Sequence, residues 1–198
     1  MPVKKLLAVI GSPRKEGNSA TLARQVAAGA EATGAEVEIF YLHEMNIQPC
    51  TACEACREET GKGCVIDDDM QTLYPKIRQS DALVIASPIY WFTVSAQMKL
   101  FMDRWYAFGG PDGYSAFDGK RIGIVLTYGD DDPFVSGAVN ALRTLQDAFN
   151  YVGANIVGMV YGSASEAGEI KKNLGLMEKA YALGKQIGSE YFLNADSP

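Results

Sequence analysis

The sequence predicts an α/β fold, a doubly wound parallel sheet of five strands with helices on both faces. Short apolar runs such as Lys4–Ile10 and Asp81–Ser87 show no polar alternation, as expected for strands buried on both faces. These runs alternate with segments whose apolar residues recur at helical spacing, and the connections between them are short. Strands that alternate with helices in this way build a parallel sheet.

The elements follow in a regular order along the chain. The predicted strands are Lys4–Ile10, Glu36–Phe40, Asp81–Ser87, Ile122–Thr127 and Asn155–Tyr161. The predicted helices run from Ser19 to about Thr33, from the acidic run Asp67–Asp69 to about Gln79, over Ser95–Trp105, from the cap Asp132 to about Tyr151, and from about Met177 to Tyr191. We expect residues 1–198 to form one domain, because 198 residues suit a single core and no linker divides the chain.

Composition excludes several classes of function. A net charge of -6 argues against nucleic acid or an anionic membrane as the main partner. The first apolar run ends at Gly11, too early for a signal segment or a membrane span, so we expect a cytoplasmic protein. The only histidine, His43, has no evident catalytic partner, which argues against a hydrolase that depends on histidine.

The loop Gly11–Ser19 joins the first strand to the first helix and suits a phosphate monoester. The loop offers hydroxyl, amide and guanidinium groups together with free backbone N–H groups at a helix N-terminus. The candidate residues are Ser12, Arg14, Gly17, Asn18 and Ser19. The alternative is an ordinary strand–helix turn capped by Ser and Asn.

Two further loops leave the same predicted edge of the sheet. Ligands of open parallel sheets bind beyond the carboxyl ends of the strands, where the strand order reverses. The segment Ser87–Thr93 carries three consecutive aromatic residues that would be solvated unless they face something flat, and Thr127–Asp132 is the third loop. A dimer interface is the alternative role for the aromatic residues.

All cysteines of the chain lie in one segment, the cysteine loop Cys50–Cys64. Cys50, Cys53 and Cys56 are spaced by two residues each, and Cys64 follows. Thiols clustered in a cytoplasmic protein suggest metal, cluster or redox chemistry before structural disulfides. Zinc is one alternative, although this spacing is awkward for tetrahedral pairs.

Three stretches of the chain resemble the NADPH-dependent FMN reductase and iron–sulfur flavoprotein families. They are Gly11-Ser-Pro-Arg with Gly17-Asn-Ser19, Asp81–Tyr90, and Lys99–Arg104, and the resemblance runs from Val3 to about Tyr191. It implies a flavodoxin-like fold with strand order 2-1-3-4-5 and an FMN cofactor. By the resemblance, Ser12, Arg14, Asn18 and Ser19 hold the FMN phosphate, and Pro88, Ile89, Tyr90, Trp91, Thr127 and Gly129 line the isoalloxazine. Lys99, Asp103 and Arg104 are expected to be helix and packing residues.

The cysteine loop is similar to the compact cluster motif of iron–sulfur flavoproteins. The resemblance implies that Cys50, Cys53, Cys56 and Cys64 ligate a [4Fe–4S] cluster, although similar spacing also occurs in reductases of this fold that carry no cluster.

The function expected from these features is that of an FMN-dependent oxidoreductase. Electrons would pass from NAD(P)H or ferredoxin through FMN to a small acceptor. Alternatives are a non-enzymatic flavodoxin-type shuttle and a zinc-stabilised binding module. We expect a homodimer or homotetramer, assembled through the aromatic loop and Gly109–Gly119.

Overall fold

The predicted parallel sheet is present. The computed structural model describes residues 2–58, 63–109 and 113–189. The strands are β1 (Lys5–Ile10), β2 (Glu36–Tyr41), β3 (Ala82–Tyr90), β4 (Thr93–Val94), β5 (Arg121–Tyr128) and β6 (Asn155–Ser163). Five of them form a parallel sheet in the order β2-β1-β3-β5-β6, and β4 pairs with the end of β3 in antiparallel fashion. Counted without β4, this is the expected order 2-1-3-4-5.

Helices cover both faces of the sheet. They are α1 (Asn18–Glu31), α2 (Met70–Gln79), α3 (Ala96–Asp103), α4 (Ala138–Tyr151) and α5 (Leu174–Gly188). Alternate residues of β1 point to opposite faces: Leu7 and Val9 pack in the core under α2, α3 and α4, and Leu6 and Ala8 pack under α1 and α5. None of the helices in the described ranges is long and apolar enough to cross a membrane.

Helices α1 and α5 approach each other with almost no space between their backbones. A Cβ atom at Gly29 would lie 2.0 Å from the Tyr181 carbonyl oxygen, and one at Gly184 would lie 1.9 Å from the Val26 carbonyl oxygen. Only glycine permits this approach. The contact fixes α1 against the sheet, and it thereby fixes the position of the α1 N-terminus.

The predicted start of the fourth helix at Asp132 is wrong, because α4 begins at Ala138. The Asp132 carboxylate accepts a hydrogen bond from the Phe134 N–H at 2.6 Å, and its carbonyl accepts one from the Ser136 N–H. Gly137 then turns the chain with a φ of 77° before the helix starts. An Asx turn and a helix cap use the same residue types, so the local sequence does not separate them.

Other boundaries differ by smaller amounts. Strand β3 continues through Tyr90 instead of ending at Ser87, because β4 pairs with its end. Helix α3 ends at Asp103, and a short 3-10 helix, Arg104–Phe108, follows it. Helix α5 begins at Leu174, where the Asn173 side chain caps it, rather than at Met177. The end predicted for this helix, at residues 190–191, lies outside the described residues.

Candidate functional site

The carboxyl ends of β1, β3 and β5 meet at a cavity of about 320 Å³. This volume lies at the lower end of the range for small-molecule sites. The lining residues are Arg14, Asn18, Pro88, Ile89, Tyr90, Thr127, Tyr128, Gly129, Ala164 and Ser165. The structure therefore brings together residues from all three predicted loops. It adds Tyr128 and the segment after β6, which the sequence analysis missed.

The loop between β1 and α1 is a tight turn closed by its own side chains. The Ser12 hydroxyl accepts from the Arg14 N–H at 3.1 Å, and the Gly17 N–H donates to the Arg14 carbonyl at 3.0 Å. A Cβ atom at Gly17 would lie 2.8 Å from the Ser12 hydroxyl oxygen, so the turn has no room for a larger residue. Gly17 contributes through this close approach, since its φ of -68° is open to any residue.

Ser19 lies in the first turn of α1 and provides a test of whether a phosphate fits there. Its side chain is 1% exposed, and its hydroxyl oxygen has no hydrogen-bond partner among the described residues. The first turn of α1 has no acidic residue, and the first N–H groups of a helix lack intrahelical acceptors. Because Arg14 also lines the neighbouring cavity, the N-terminus of α1 fits a phosphate dianion.

The Asn18 side chain braces α1 against the segment that follows β6. Its amide nitrogen donates to the carbonyls of Ala164 and Glu166 at 3.2 and 2.9 Å, and its oxygen accepts from the Ile170 N–H at 3.2 Å. These bonds bring Ala164 into the cavity wall. The predicted contact of Asn18 with a phosphate stays a prediction.

The aromatic residues after β3 form the tip of a short hairpin. Tyr90 lines the cavity, whereas Trp91 is 93% exposed and is not part of the cavity wall. Trp91 and Phe92 both have positive φ, at 47° and 67°, which is strained for bulky residues. The predicted contact of Trp91 with a flavin ring stays a prediction.

Thr127 and Tyr128 end β5 beside the cavity. Thr127 is buried and pairs with Pro88 in the β3–β5 register. Burial, and then the nearby Tyr161 and Asp132, raise the pKa of Tyr128. A phenol is protonated at neutral pH even at its ordinary pKa, so the Tyr128 hydroxyl is able to donate a hydrogen bond.

A second cavity is formed by the cysteine loop and the 3-10 helix after α3. All four cysteines line it, together with Arg104 and Tyr106. The cysteines are free thiols: Cys50 and Cys53 are exposed, and Cys56 and Cys64 are half-buried. Residues 59–62 of the loop lie outside the described residues. In the described part of the chain, no three Cys, His, Asp or Glu side chains are arranged to hold a metal ion, although four thiols in one cavity suit a thiolate-bound group by donor type.

Arg104 lines this second site, although the sequence analysis placed it among packing residues. Its side chain is 1% exposed and forms an ion pair with Asp68, which is 0% exposed. The guanidinium also donates to the Gln48 carbonyl at 2.8 Å and to the Cys64 sulfur at 3.2 Å. The acidic run predicted to cap α2 therefore has a second role, because Asp68 is the buried counter-ion of Arg104 and also accepts from the Met70 N–H at 3.0 Å.

The buried network changes the acidity of its members. Burial alone would raise the pKa of the Cys64 thiol, but hydrogen bonds from the Ile66 N–H and Arg104 outweigh it and lower this pKa. Asp68 follows the same pattern: burial opposes ionisation, and hydrogen bonds from Arg104 and backbone N–H groups hold its pKa below the usual value. Burial raises the pKa of Cys56. Cys64 thus ionises more readily than Cys56.

A separate contact docks the first part of the cysteine loop. The Arg57 guanidinium lies 3.9 Å from the centre of the Tyr106 ring and donates to the Tyr114 hydroxyl at 2.9 Å. The Tyr106 hydroxyl in turn donates to the Glu54 carboxylate at 2.9 Å. The loop is therefore held against the 3-10 helix by cation–π and hydrogen-bonding contacts.

A family model for NADPH-dependent FMN reductases matches residues 4–169 of the chain. An iron–sulfur flavoprotein of Archaeoglobus fulgidus is 40% identical over 125 residues, which cover 63% of this chain and 54% of that protein. The chain thus spans about half the length of the curated iron–sulfur flavoproteins to which it is similar.

Two solved structures show the same fold. An NAD(P)H:quinone oxidoreductase from Methanothermobacter marburgensis superimposes with a TM-score of 0.76 at 16% identity, covering 98% of this chain and 100% of that one. An archaeal flavodoxin superimposes with a TM-score of 0.57 at 13% identity, covering 93% and 96%. The fold is therefore flavodoxin-like, as expected. The family model's match over residues 4–169 shows that the chain belongs to the NADPH-dependent FMN reductase family.

Proposed function

We propose that this protein is an FMN-dependent oxidoreductase that passes electrons from NAD(P)H or ferredoxin through FMN to a small acceptor. The observation that carries the proposal is the buried Ser19 hydroxyl at the N-terminus of α1, which has no hydrogen-bond partner in the described part of the chain. It lies in the same loop as Arg14, which lines the cavity at the carboxyl edge of the sheet. A phosphate at the helix end and a ring in the cavity account for both features.

Each loop has a distinct role in this proposal. Ser12, Arg14, Gly17, Asn18 and Ser19 would hold the phosphate or shape its loop. Pro88, Ile89 and Tyr90 line the cavity that would take the ring, with Thr127 and Gly129 opposite. Trp91 lies outside the cavity wall, and its side chain would contact the ring only by turning toward it. When bound, FMN supplies a ring that accepts a hydride or single electrons. The chain binds and orients the cofactor, and Tyr128 lines the same cavity.

We further propose that the cysteine loop holds a [4Fe–4S] cluster through Cys50, Cys53, Cys56 and Cys64. Two observations support this: all four free thiols lie around one narrow space of about 20 Å³, and a relative 40% identical over 125 residues is named an iron–sulfur flavoprotein. A cluster favours ferredoxin as the donor, and a loop without one favours NAD(P)H. Free thiols also suit a cytoplasmic location.

For assembly we propose a homodimer or homotetramer that buries the hairpin tip. Trp91, Phe92, Phe134 and Val135 are all exposed apolar residues. A Cβ atom on Gly137 would lie 2.5 Å from Phe92, so the turn before α4, which follows Phe134 and Val135, packs directly against the hairpin. The sequence also predicts contacts through Gly109–Gly119, but residues 110–112 of this segment lie outside the described residues.

The test is a visible spectrum with iron and acid-labile sulfide analysis on protein purified without oxygen. Flavin bands that NAD(P)H bleaches, followed by turnover with a quinone, support the oxidoreductase. Flavin bands without turnover favour the electron shuttle, and zinc in place of iron favours the zinc-stabilised binding module. A chain that takes up no FMN contradicts the proposal.

Variants localise the binding site. Arg14→Ala removes a charge-assisted phosphate contact worth about 1.5–3 kcal/mol, so the Kd for FMN should rise roughly 10- to 100-fold. Arg143→Ala is the matched control, because this arginine is exposed on α4 and pairs with Asp147. If both substitutions raise the Kd for FMN equally, the phosphate does not bind at Arg14.

A further inference from the structure

The buried Arg104 guanidinium connects three separated parts of the chain. It donates to the Gln48 carbonyl, just before the cysteine loop, and to the Cys64 sulfur at the end of the loop. It also pairs with Asp68, beyond the loop. One side chain thus joins both ends of the cysteine loop, whose described residues contain only the short 3-10 helix Ala55–Arg57.

The contact uses the shape of a guanidinium as well as its charge. One terminal nitrogen serves the Gln48 carbonyl and one Asp68 oxygen, and the other serves Cys64 and the second Asp68 oxygen. A lysine ammonium would keep the charge but could not span these partners in one plane. The Asp68 carboxylate also accepts the Gln48 N–H at 2.8 Å, so both backbone polar groups of Gln48 are held.

The bond to sulfur gives Arg104 a role beyond the stability of the fold. Groups that hydrogen-bond a metal-ligating residue orient it, and their loss typically weakens metal affinity 10- to 100-fold. Hydrogen bonds to ligand sulfurs also tune the electronic properties of thiolate sites. Cys64 is the cysteine on which Arg104 acts in this way.

We infer that Arg104 is a positioning residue of the cysteine loop, whose guanidinium orients the Cys64 sulfur toward the shared cavity and ties the loop ends together through Gln48 and Asp68. The inference rests on the proposed role of the loop as a thiolate site. It assigns to Arg104 a function in preparing that site.

The experiment compares the wild type with Arg104→Lys and with the matched control Arg57→Lys. Lysine at 104 keeps a positive charge beside Asp68, which protects the fold, while the fork that reaches Cys64 and Gln48 is lost. Arg57→Lys loosens the same loop by removing its contacts with Tyr106 and Tyr114. The probe is Co²⁺, added to reduced protein without oxygen, because thiolate-to-cobalt charge-transfer bands report bonds to sulfur. Amide hydrogen exchange of the peptide that contains Gln48 is measured on the same samples without metal.

The inference predicts that Arg104→Lys raises the Kd for Co²⁺ by 10- to 100-fold. Its charge-transfer band should move to lower energy, because a sulfur without an N–H donor holds its electrons less tightly. Exchange at Gln48 should become at least tenfold faster. Arg57→Lys should leave both the band energy and the Gln48 exchange rate as in the wild type.

Two results would overturn the inference: an Arg104→Lys protein with wild-type Co²⁺ affinity, band and exchange, or identical effects of both substitutions. If the wild type itself gives no thiolate–cobalt band, the proposed thiolate site fails. The exchange comparison then decides alone whether Arg104 ties the loop ends together.

Discussion

Removing the Arg104 guanidinium should destabilise the protein strongly, because Asp68 would remain charged and buried. The Asp68 side chain is 0% exposed, and after Arg104→Met it retains only N–H donors such as those of Gln48 and Met70. Breaking a buried pair by deleting one partner typically costs about 3–5 kcal/mol. We therefore expect the free energy of unfolding to fall by about this amount, measured by urea denaturation of the flavin-free protein.

The matched control is the double variant Arg104→Met with Asp68→Asn. It removes the uncompensated charge and keeps an oxygen that accepts from the backbone, so the loss should shrink to about 1–3 kcal/mol. The reasoning is refuted if Arg104→Met stays within about 1 kcal/mol of the wild type, or if the double variant is the less stable of the two.

The same pair gives the protein a defined acid sensitivity. The folded-state pKa of Asp68 is lowered from its ordinary value of 3.8 by Arg104 and backbone N–H groups, against the opposing effect of burial. A carboxylate with a depressed pKa contributes stability that is fully present above its unfolded value and is lost as the pH falls below it. Urea denaturation between neutral pH and about pH 3 should show a steeper loss in the wild type than in Asp68→Asn, and parallel curves would contradict this prediction.

Three further predictions concern the helix pair, the hairpin and the phosphate loop. Gly184→Ala places a Cβ atom 1.9 Å from the Val26 carbonyl and should lower the free energy of unfolding by about 1–3 kcal/mol in urea. Gly175→Ala, with open space on the same helix, should raise it by up to about 1 kcal/mol; equal effects would contradict the packing argument. Replacing Trp91-Phe92 by Asn-Gly relieves two positive-φ positions and should stabilise the chain by about 1–3 kcal/mol. Sedimentation should then show weaker self-association, and unchanged assembly would remove the hairpin from the interface. Gly17→Ala forces a methyl group against Ser12 and should raise the Kd for FMN about tenfold with little change for riboflavin, measured by flavin fluorescence; equal losses for both would contradict a phosphate-specific loop.

The sheet and its ligand edge are predictable from the sequence because their signals are local. Continuous apolar runs mark β1 and β3, and parallel strands place their following loops at one edge, so Arg14, Pro88 and Thr127 are found in one cavity as expected. The segment after β6 was missed because Ala164 and Ser165 carry no distinctive chemistry. Only the hydrogen bonds from Asn18 show why they lie there.

The buried ion pair is not predictable for a different reason. Asp68 and Arg104 lie on opposite sides of β3 in the sequence, and each has a sufficient local explanation, as a helix cap and as the end of a helix. Only the tertiary structure shows that the two charges neutralise each other next to Cys64. Pairs of this kind depend on packing between distant segments, which periodicity and capping signals do not contain.

The most direct test of the central claim is the comparison of FMN with riboflavin in binding to the wild type and to Ser19→Ala. The two flavins share the ring and differ in the phosphate, so their affinities isolate the site at the N-terminus of α1. The account predicts that the wild type binds FMN at least 100-fold more tightly, and that Ser19→Ala narrows this ratio about tenfold through the loss of one hydrogen bond to a charged group. Equal affinity of the wild type for both flavins, or no binding of either, would contradict it.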